Sequence, residues 1–93
     1  MSESEARGRF RIENALGLHA RAATKLVQLA SRYPCEITVS RDDQSANAKS
    51  VMGVLLLCAS RGVWLDVVAQ GEQARGCVDA IGQLIAGKFG EPE

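Results

Sequence analysis

The stretch Val63-Trp64-Leu65-Asp66-Val67-Val68-Ala69-Gln70 decides the fold of this chain. Every second residue is apolar, so one face of a strand over this stretch carries Val63, Leu65, Val67 and Ala69. A strand that is apolar on one face needs a covering layer on that side only. The stretch therefore predicts a sheet with one buried face.

Two other stretches alternate in the same way. Residues 9–13 place Phe10 and Ile12 on one face, and residues 36–41 place Ile37 and Val39 inward. The pair Asp42-Asp43 is typical of a turn, so residues 44–48 are predicted to form a short, weak strand beside the previous one.

Three stretches show helical spacing. Residues 20–31 have an apolar stripe of Ala20, Ala23, Leu26, Val27 and Ala30. Residues 50–59 form a short apolar helix, with Ser50 in the N-cap position. Residues 72–89 form the last helix, with a stripe of Ala74, Cys77, Val78, Ile81, Leu84 and Ile85, and its glycines Gly76, Gly82 and Gly87 are expected to weaken it.

The order of these elements is β-α-β-β-α-β-α. Together with the one-sided strands, it predicts an α+β open-faced sandwich, in which three helices cover one side of a four-stranded antiparallel sheet. We expect one domain over residues 1–93, with an ordered core over about 7–90. Residues 1–5 and 91–93 are predicted to be short, frayed polar tails.

The composition excludes several functions. The chain has 93 residues, 11 Lys plus Arg, 11 Asp plus Glu, and therefore no formal net charge, and only 4% of its residues are aromatic. A balanced charge with few stacking residues argues against nucleic-acid binding. The longest apolar run, residues 51–59, is too short to span a membrane, and no apolar signal segment opens the chain. We expect a cytoplasmic protein that does not insert into membranes.

The three cysteines, Cys35, Cys58 and Cys77, do not form a recognisable site. Their number is odd, and no two have the spacing of a zinc or redox motif. We interpret each as a packing residue. With one histidine in the chain, we expect no metal site, and no organic cofactor is indicated.

The informative segment is Gly17-Leu18-His19-Ala20-Arg21. His19 lies between a glycine-containing loop and a helix start, where the amides of Ala20, Arg21 and Ala22 have no helical acceptor and can bind a phosphate. Arg21 can add a charge-assisted contact. The positive end of the helix dipole favours a neutral imidazole, which can act as a nucleophile. A helix-start histidine is also often a cap or an ordinary surface residue, and that alternative stays open at this point.

The chain resembles the HPr family, the histidine-containing phosphocarriers of the bacterial phosphoenolpyruvate-dependent sugar phosphotransferase system. Two motifs carry the resemblance: Gly17-Leu18-His19-Ala20-Arg21 followed by Ala23, and Lys49-Ser50-Val51-Met52-Gly53-Val54. The resemblance implies that His19 is phosphorylated on Nδ1 and that Arg21 assists the phosphoryl group. It also implies that Ser50 matches a serine that a dedicated kinase modifies in many relatives.

One departure from the family pattern lies beside the histidine, where Ala22 stands at a position that is usually proline. A proline in the first helical turn loses no hydrogen bond. We therefore expect a slightly looser turn rather than a loss of function.

The second helix is predicted to carry part of a docking surface. The resemblance implies that Met52 and Leu55 are exposed apolar contacts for partners, and methionine suits a surface that accepts several shapes. No acidic residue occurs over residues 14–35 or 44–65, so Lys25 and Lys49 are predicted to help attract an acidic partner. Ser50 can be a plain N-cap, a phosphorylation site, or both.

The resulting hypothesis is a monomeric phosphocarrier that is not by itself a turnover enzyme. It would accept a phosphoryl group from enzyme I and pass it to the A-type component of a sugar permease, with an HPr kinase/phosphorylase as a possible further partner. Two alternatives stay open. One is a regulatory phosphorelay, such as the nitrogen-related branch. The other is a small α+β binding module in which His19 does no covalent chemistry.

Overall fold

Three antiparallel pairings join four strands into one sheet in the computed structural model, which describes residues 4–93. The strands are β1 (Glu5–Arg11), β2 (Glu36–Arg41), β3 (Gln44–Asn47) and β4 (Trp64–Gln70). Their spatial order is β1-β4-β2-β3, so β4 pairs with β1 on one side and with β2 on the other. The predicted antiparallel sheet is confirmed.

Three helices cover this sheet: α1 (Ala20–Ala30), α2 (Val51–Leu56) and α3 (Ala74–Ala86). A short 3-10 turn, Lys88–Gly90, follows α3. α3 packs on β1 and β4, and α1 packs against both α2 and α3. The order β-α-β-β-α-β-α confirms the open-faced sandwich.

The central strand β4 has the two faces that its alternation predicts. Leu65, Val67 and Ala69 are fully buried, while Trp64 and Asp66 on the other face are exposed. On that open face, the guanidinium carbon of Arg9 lies 5.2 Å from the centre of the Trp64 ring. The helices therefore cover only the apolar side.

β1 begins at Glu5, four residues before the predicted start, and it ends at Arg11 rather than at Glu13. The inward positions before Phe10 are Ala6 and Gly8, which are too small to stand out as an apolar pattern. Gly8 must be small, because a Cβ there would lie 2.6 Å from the Phe10 ring. Glu5, the last residue of the expected N-terminal tail, therefore belongs to a strand, and that part of the prediction is wrong. Residues 1–3 of the expected tail lie outside the described part of the chain.

The helices are shorter than predicted. α2 ends at Leu56 rather than at Ala59, because Cys58 has a left-handed backbone with φ 52°. α3 ends at Ala86 rather than at Phe89. In α1, the predicted stripe residue Ala20 is exposed, and Ala22 is buried instead. The predicted core of α3 is confirmed, since all six stripe positions are buried or partly buried.

Cys35 and Cys77 are buried packing residues, whereas Cys58 is exposed. Burial among apolar neighbours, with the Cys35 thiol beside it, raises the pKa of Cys77 to about 12. Within residues 4–93, no group of three or more potential ligands could hold a metal ion. No helix in the same range has the length and apolar character needed to cross a membrane.

Candidate functional site

His19 is the N-cap residue of α1. Its backbone is extended, with φ −78° and ψ −179°, and its carbonyl accepts the first helical hydrogen bond from the Ala23 amide at 2.8 Å. Its imidazole does not cap the helix. His19 therefore caps the helix through its backbone alone, and its imidazole takes no part in capping.

The loop before His19 is held by Gly17. This residue has φ 67°, which glycine adopts without strain, and a Cβ there would lie 2.7 Å from the Ala59 carbonyl oxygen. The next amide, that of Leu18, donates to the same carbonyl at 2.9 Å. Gly17 thus lets the loop pack closely against Ala59, in the segment that follows α2. This contact positions the start of α1.

The end of the chain returns to this helix start. Residues 87–93, which we call the strap, leave α3 and bring Glu91 to His19, where Oε2 of Glu91 lies 2.5 Å from Nε2 of His19. The Glu91 side chain is only 12% exposed and that of His19 29%. The Ala15 amide also donates to the main-chain oxygen of Glu93 at 3.0 Å. The expectation of a frayed tail at residues 91–93 is therefore wrong.

The strap also changes the charge around the histidine. Residues 14–35 contain no acid, but Glu91 comes from a distant part of the chain and sits on the imidazole. The locally basic surroundings expected from the sequence thus include one partly buried carboxylate.

Asn14 holds the second oxygen of that carboxylate. Its Nδ2 donates to Oε1 of Glu91 at 2.9 Å and to the Gly17 carbonyl at 2.8 Å. Because both partners can only accept, the amide nitrogen must face them, which leaves Oδ1 of Asn14 buried without a hydrogen bond among the described residues. Asn14 and Glu91 are the two site residues that sequence reasoning missed.

These contacts determine which nitrogen of His19 carries a proton. The hydrogen bonds from His19 and, second, from Asn14 lower the pKa of Glu91, although burial acts in the opposite direction. An ionised carboxylate only accepts hydrogen bonds, so Nε2 of His19 must be the donor. In the neutral ring, the lone pair is then on Nδ1, which makes no hydrogen bond with residues 4–93.

A cavity of about 650 Å³ opens beside the ring and is bounded by Leu16, Ala20, Arg21 and the strap. Arg21 is exposed, and its guanidinium group makes no hydrogen bond or ion pair with any described residue. The amides of Ala20, Arg21 and Ala22 occupy the first turn of α1, whose first internal bond starts at Ala23. A free cation and unbonded amides are a suitable setting for an anion.

α2 contains Ser50 and two exposed apolar side chains. The Ser50 hydroxyl accepts from the Gly53 amide at 3.1 Å, which confirms its N-cap role. Met52 is 67% exposed, as expected, and so is Leu56. The expected exposure of Leu55 is wrong, because Leu55 packs partly buried against the core. Met52 and Leu56 are four residues apart and so share one helix face.

The two lysines expected to attract a partner are bonded within the molecule. Lys25 donates to the Phe89 carbonyl at 2.6 Å, and Lys49 donates to the Tyr33 carbonyl at 2.7 Å. Both side chains are half-buried. Each lysine therefore has a structural contact, whether or not its charge also acts on a partner.

This arrangement of histidine, amides and arginine suits one class of protein, the small carrier that holds a phosphoryl group on a histidine. The family model described as "PTS HPr component phosphorylation site" matches residues 6–87. The chain belongs to this family, the HPr phosphocarriers of the phosphotransferase system.

Known proteins of this family are similar over most of the chain. A phosphocarrier protein HPr of Pseudomonas aeruginosa is 45% identical over 83 residues, covering 88% of this chain and 92% of the relative. A phosphocarrier protein NPr of Shewanella violacea is 45% identical over 78 residues, covering 84% of this chain and 86% of the relative. The crystal structure of HPr-C-His from Thermoanaerobacter tengcongensis superposes with a TM-score of 0.91 at 38% identity, covering 95% of this chain and 99% of that one.

Proposed function

We propose that the protein carries a phosphoryl group on Nδ1 of His19, accepting it from phosphorylated enzyme I and passing it to the A-type component of a sugar permease. One observation carries the proposal. Glu91 occupies Nε2 at 2.5 Å, so the neutral ring presents its lone pair on Nδ1, at the start of α1. In this proposal the carrier is a cytoplasmic monomer.

In the acceptance step, Nδ1 of His19 attacks the phosphorus of the donor phosphohistidine. A nitrogen–phosphorus bond forms at Nδ1, the donor's nitrogen–phosphorus bond breaks, and the donor imidazole keeps the electron pair. The ring of His19 gains positive character as its lone pair is shared, and Glu91 on Nε2 stabilises that charge. Arg21 and the amides of Ala20, Arg21 and Ala22 would bind the phosphoryl oxygens.

In the donation step the same groups work in reverse. The acceptor's histidine attacks the phosphorus, and the bond to Nδ1 breaks with its electrons returning to the ring. The Nε2 proton stays on His19 throughout, because the ionised Glu91 accepts it in a hydrogen bond. After donation, His19 is again unphosphorylated with its proton on Nε2, so the carrier is ready to accept another phosphoryl group.

We assign the docking surface to the exposed apolar side chains near His19 and on α2. Leu16, which is 71% exposed, borders the same cavity as His19. Met52 and Leu56 lie on α2, which packs against α1. A surface with exposed apolar groups beside the reacting nitrogen fits brief docking with several partners. Leu55, Lys25 and Lys49 remain in the proposed surface as secondary contacts.

The direct test is incubation with enzyme I and phosphoenolpyruvate labelled in its phosphoryl group. The wild-type protein should acquire one acid-labile label, and His19→Ala should acquire none. Arg21→Ala should still fold and should accept the label more slowly, since the phosphoryl oxygens lose one charged contact. Acid-labile label on His19→Ala at the wild-type level would sink the proposal.

The nitrogen-related branch is a second candidate, and a specific likeness favours it. The NPr relative is as identical to this chain as the HPr relative is. In this alternative the carrier uses the same chemistry at His19 but serves a regulatory relay. Initial transfer rates from the sugar-branch and the nitrogen-branch enzyme I, measured side by side, separate the two. The branch whose enzyme gives the higher kcat/KM is the physiological one.

We also propose that Ser50 is a regulatory phosphorylation site for an HPr kinase/phosphorylase. Its hydroxyl caps α2, whose exposed residues Met52 and Leu56 belong to the proposed docking surface. A phosphate there would place negative charge at that surface while remaining compatible with the helix start.

Ser50→Asp, which retains a capping oxygen, should slow phosphoryl acceptance without unfolding the protein. Ser50→Ala should leave acceptance intact but lower stability by about 1 kcal/mol through loss of the cap. Equal acceptance rates for Ser50→Asp and the wild type would argue against regulation at this serine.

A further inference from the structure

The strap that delivers Glu91 follows an unusual backbone path. Lys88, Phe89 and Gly90 are consecutive left-handed residues, with φ values of 59°, 57° and 78°. Side chains disfavour this region, so Lys88 and Phe89 adopt it only because their surroundings hold them there. The position of Glu91 therefore depends on what holds this turn.

Two contacts hold the turn from outside the strap. The Phe89 side chain is fully buried, and the Phe89 carbonyl accepts a hydrogen bond from Nζ of Lys25 at 2.6 Å. The next residue, Gly90, has φ 78°, which glycine adopts without strain, and it lies beside the ammonium group of Lys25. Lys25 belongs to α1, the helix that begins directly after His19.

Lys25 thus joins the helix that carries the histidine to the strap that carries its carboxylate partner. Only Gly90 separates the anchored Phe89 from Glu91, so a displacement of the Phe89 carbonyl is passed directly to the Glu91 side chain. We propose that Lys25 is a positioning residue for His19: by fixing the strap, it keeps the Glu91 carboxylate on Nε2 and so keeps the lone pair on Nδ1. This inference rests on the proposed function and deepens it.

The charge of Lys25 acts in the same direction as its hydrogen bond. After the larger effects of the hydrogen bonds from His19 and Asn14, the positive charges of His19 and Lys25 also lower the pKa of Glu91. An ionised Glu91 is the form that accepts the Nε2 proton. Lys88, the other lysine near the site, makes no side-chain hydrogen bond or ion pair within residues 4–93.

Three variants separate positioning from a contact with the partner. Lys25→Met keeps the aliphatic chain and removes the donor and the charge. Lys25→Arg keeps both the charge and N–H donors. Lys88→Met is the matched control, because it removes an equal charge from the strap without removing the anchor.

The first readout uses the free protein, without any partner. The ¹⁵N chemical shifts of the His19 ring, measured where the ring is neutral, report which nitrogen carries the proton. We expect a dominant Nε2–H form in the wild type, in Lys25→Arg and in Lys88→Met, and a mixture of both forms in Lys25→Met. An unchanged ring in Lys25→Met, or the same change in Lys88→Met, would overturn the inference.

The second readout is the rate of phosphoryl acceptance from phosphorylated enzyme I. For Lys25→Met we expect kcat to fall on the order of 10-fold, as when an orienting hydrogen bond to a functional histidine is lost. The KM for enzyme I should change by a smaller factor than kcat, because Lys25 is only a secondary contact in the proposed docking surface. A rise in KM with an unchanged kcat would instead identify Lys25 as a partner contact and contradict positioning.

A double variant tests whether Lys25 acts through Glu91. In a Glu91→Ala background, Lys25→Met should cause no further loss, because the carboxylate that it positions is already gone. Losses that multiply would contradict the inference. If Lys25→Met does not fold, Lys25→Leu, which also lacks the donor and the charge, replaces it, and an unchanged ring in Lys25→Leu would count equally against positioning. If the wild type accepts no phosphoryl group, the proposed function fails, but the ring measurement still decides the role of Lys25.

Discussion

Nε2 of His19 and Oε2 of Glu91 lie 2.5 Å apart, although 72 positions separate the two residues in the chain. A carboxylate that accepts from one imidazole nitrogen leaves the lone pair on the other, the device by which a triad aspartate prepares a catalytic histidine. The fold thus selects one tautomer of its single histidine. Several consequences of this contact can be measured.

Glu91→Gln should slow phosphoryl acceptance by His19 more than Glu91→Ala does. Asn14 donates to Oε1 of Glu91, so the amide oxygen of a glutamine would stay with Asn14 and its NH₂ group would face His19. Nε2 would then have to accept, and the proton would move to Nδ1, the proposed nucleophile. We expect the rate of phosphoryl acceptance to fall at least about 10-fold, since a tautomer reversal in a protease triad costs about 10⁴-fold.

The comparison variant Glu91→Ala leaves Nε2 to water, which can accept or donate. Its ring should show both tautomers, and its rate of acceptance should lie between those of the wild type and Glu91→Gln. Equal rates for the two variants would show that the charge of Glu91, rather than its selection of a tautomer, is what matters, and a slower rate for Glu91→Ala would contradict tautomer selection.

Acid should release the strap within a defined pH range. The pKa of Glu91 is lowered in the folded protein, so the stability that its pairing contributes is complete above the ordinary glutamate pKa. That contribution is lost as the pH falls through the lowered value. The difference in unfolding free energy between the wild type and Glu91→Gln, measured by urea denaturation, should therefore shrink as the pH falls below the ordinary glutamate pKa.

A second acidic group behaves similarly but does not disturb this measurement. Hydrogen bonds from Arg7 and Gln70 lower the pKa of Glu5, which is present in both proteins, so its effect cancels in the difference. A difference that stays constant down to the acid limit would mean that Glu91 does not contribute through its charge.

Most of the fold could be predicted from the sequence because apolar alternation is a local signal. β4 and β2 show it clearly, and their inward residues are buried. The start of β1 was missed because Ala6 and Gly8 take inward positions without standing out as apolar. The end of α3 was missed because residues 88–90 leave the helix through left-handed conformations, which Lys88 and Phe89 do not signal.

The site could be predicted only as far as local sequence carries it. His19 and Arg21 lie at the start of a helix, which the glycine-containing loop at Gly17 indicates in the sequence. Ser50 has the residue type and position of an N-cap. Glu91 joins His19 through a contact between distant parts of the chain, which no local spacing reveals. The available hint was Phe89, a large apolar residue beyond the helix, whose burial draws the strap back onto the core.

Two glycines of α3 should respond in opposite ways to alanine. A Cβ at Gly82 would lie 2.5 Å from the Phe10 ring, whereas the nearest atom to a Cβ at Gly76 is 3.9 Å away, in the Tyr33 ring. Gly82→Ala should therefore destabilise the protein by about 1–3 kcal/mol through overpacking. Gly76→Ala should stabilise it by up to about 1 kcal/mol, because alanine favours the helix. Thermal unfolding measures both, and equal effects would show that Phe10 moves aside freely.

Asn14→Asp should expose the role of Asn14 as the holder of Glu91. The substitution keeps the shape of the side chain but places a second acceptor against Oε1 of Glu91 and against the Gly17 carbonyl, at positions that are now 2.9 and 2.8 Å from a donor. Two carboxylates at this distance cannot both remain ionised without strong repulsion. At neutral pH we expect a loss of stability on the order of 3 kcal/mol.

The sign of the pH dependence distinguishes this repulsion from a simple loss of hydrogen bonds. In Asn14→Asp, a proton shared between the two carboxyl groups would restore a hydrogen bond, so the stability of this variant relative to Asn14→Ala should rise as the pH falls. Asn14→Ala also loses both hydrogen bonds but gains no charge, and it removes the buried Oδ1 that has no partner among the described residues. Urea denaturation of both variants across the acid range measures the difference. If that difference does not change with pH, the side chain at position 14 does not face Glu91 in solution. Asn14 would then not hold Oε1 of Glu91 while Oε2 contacts His19.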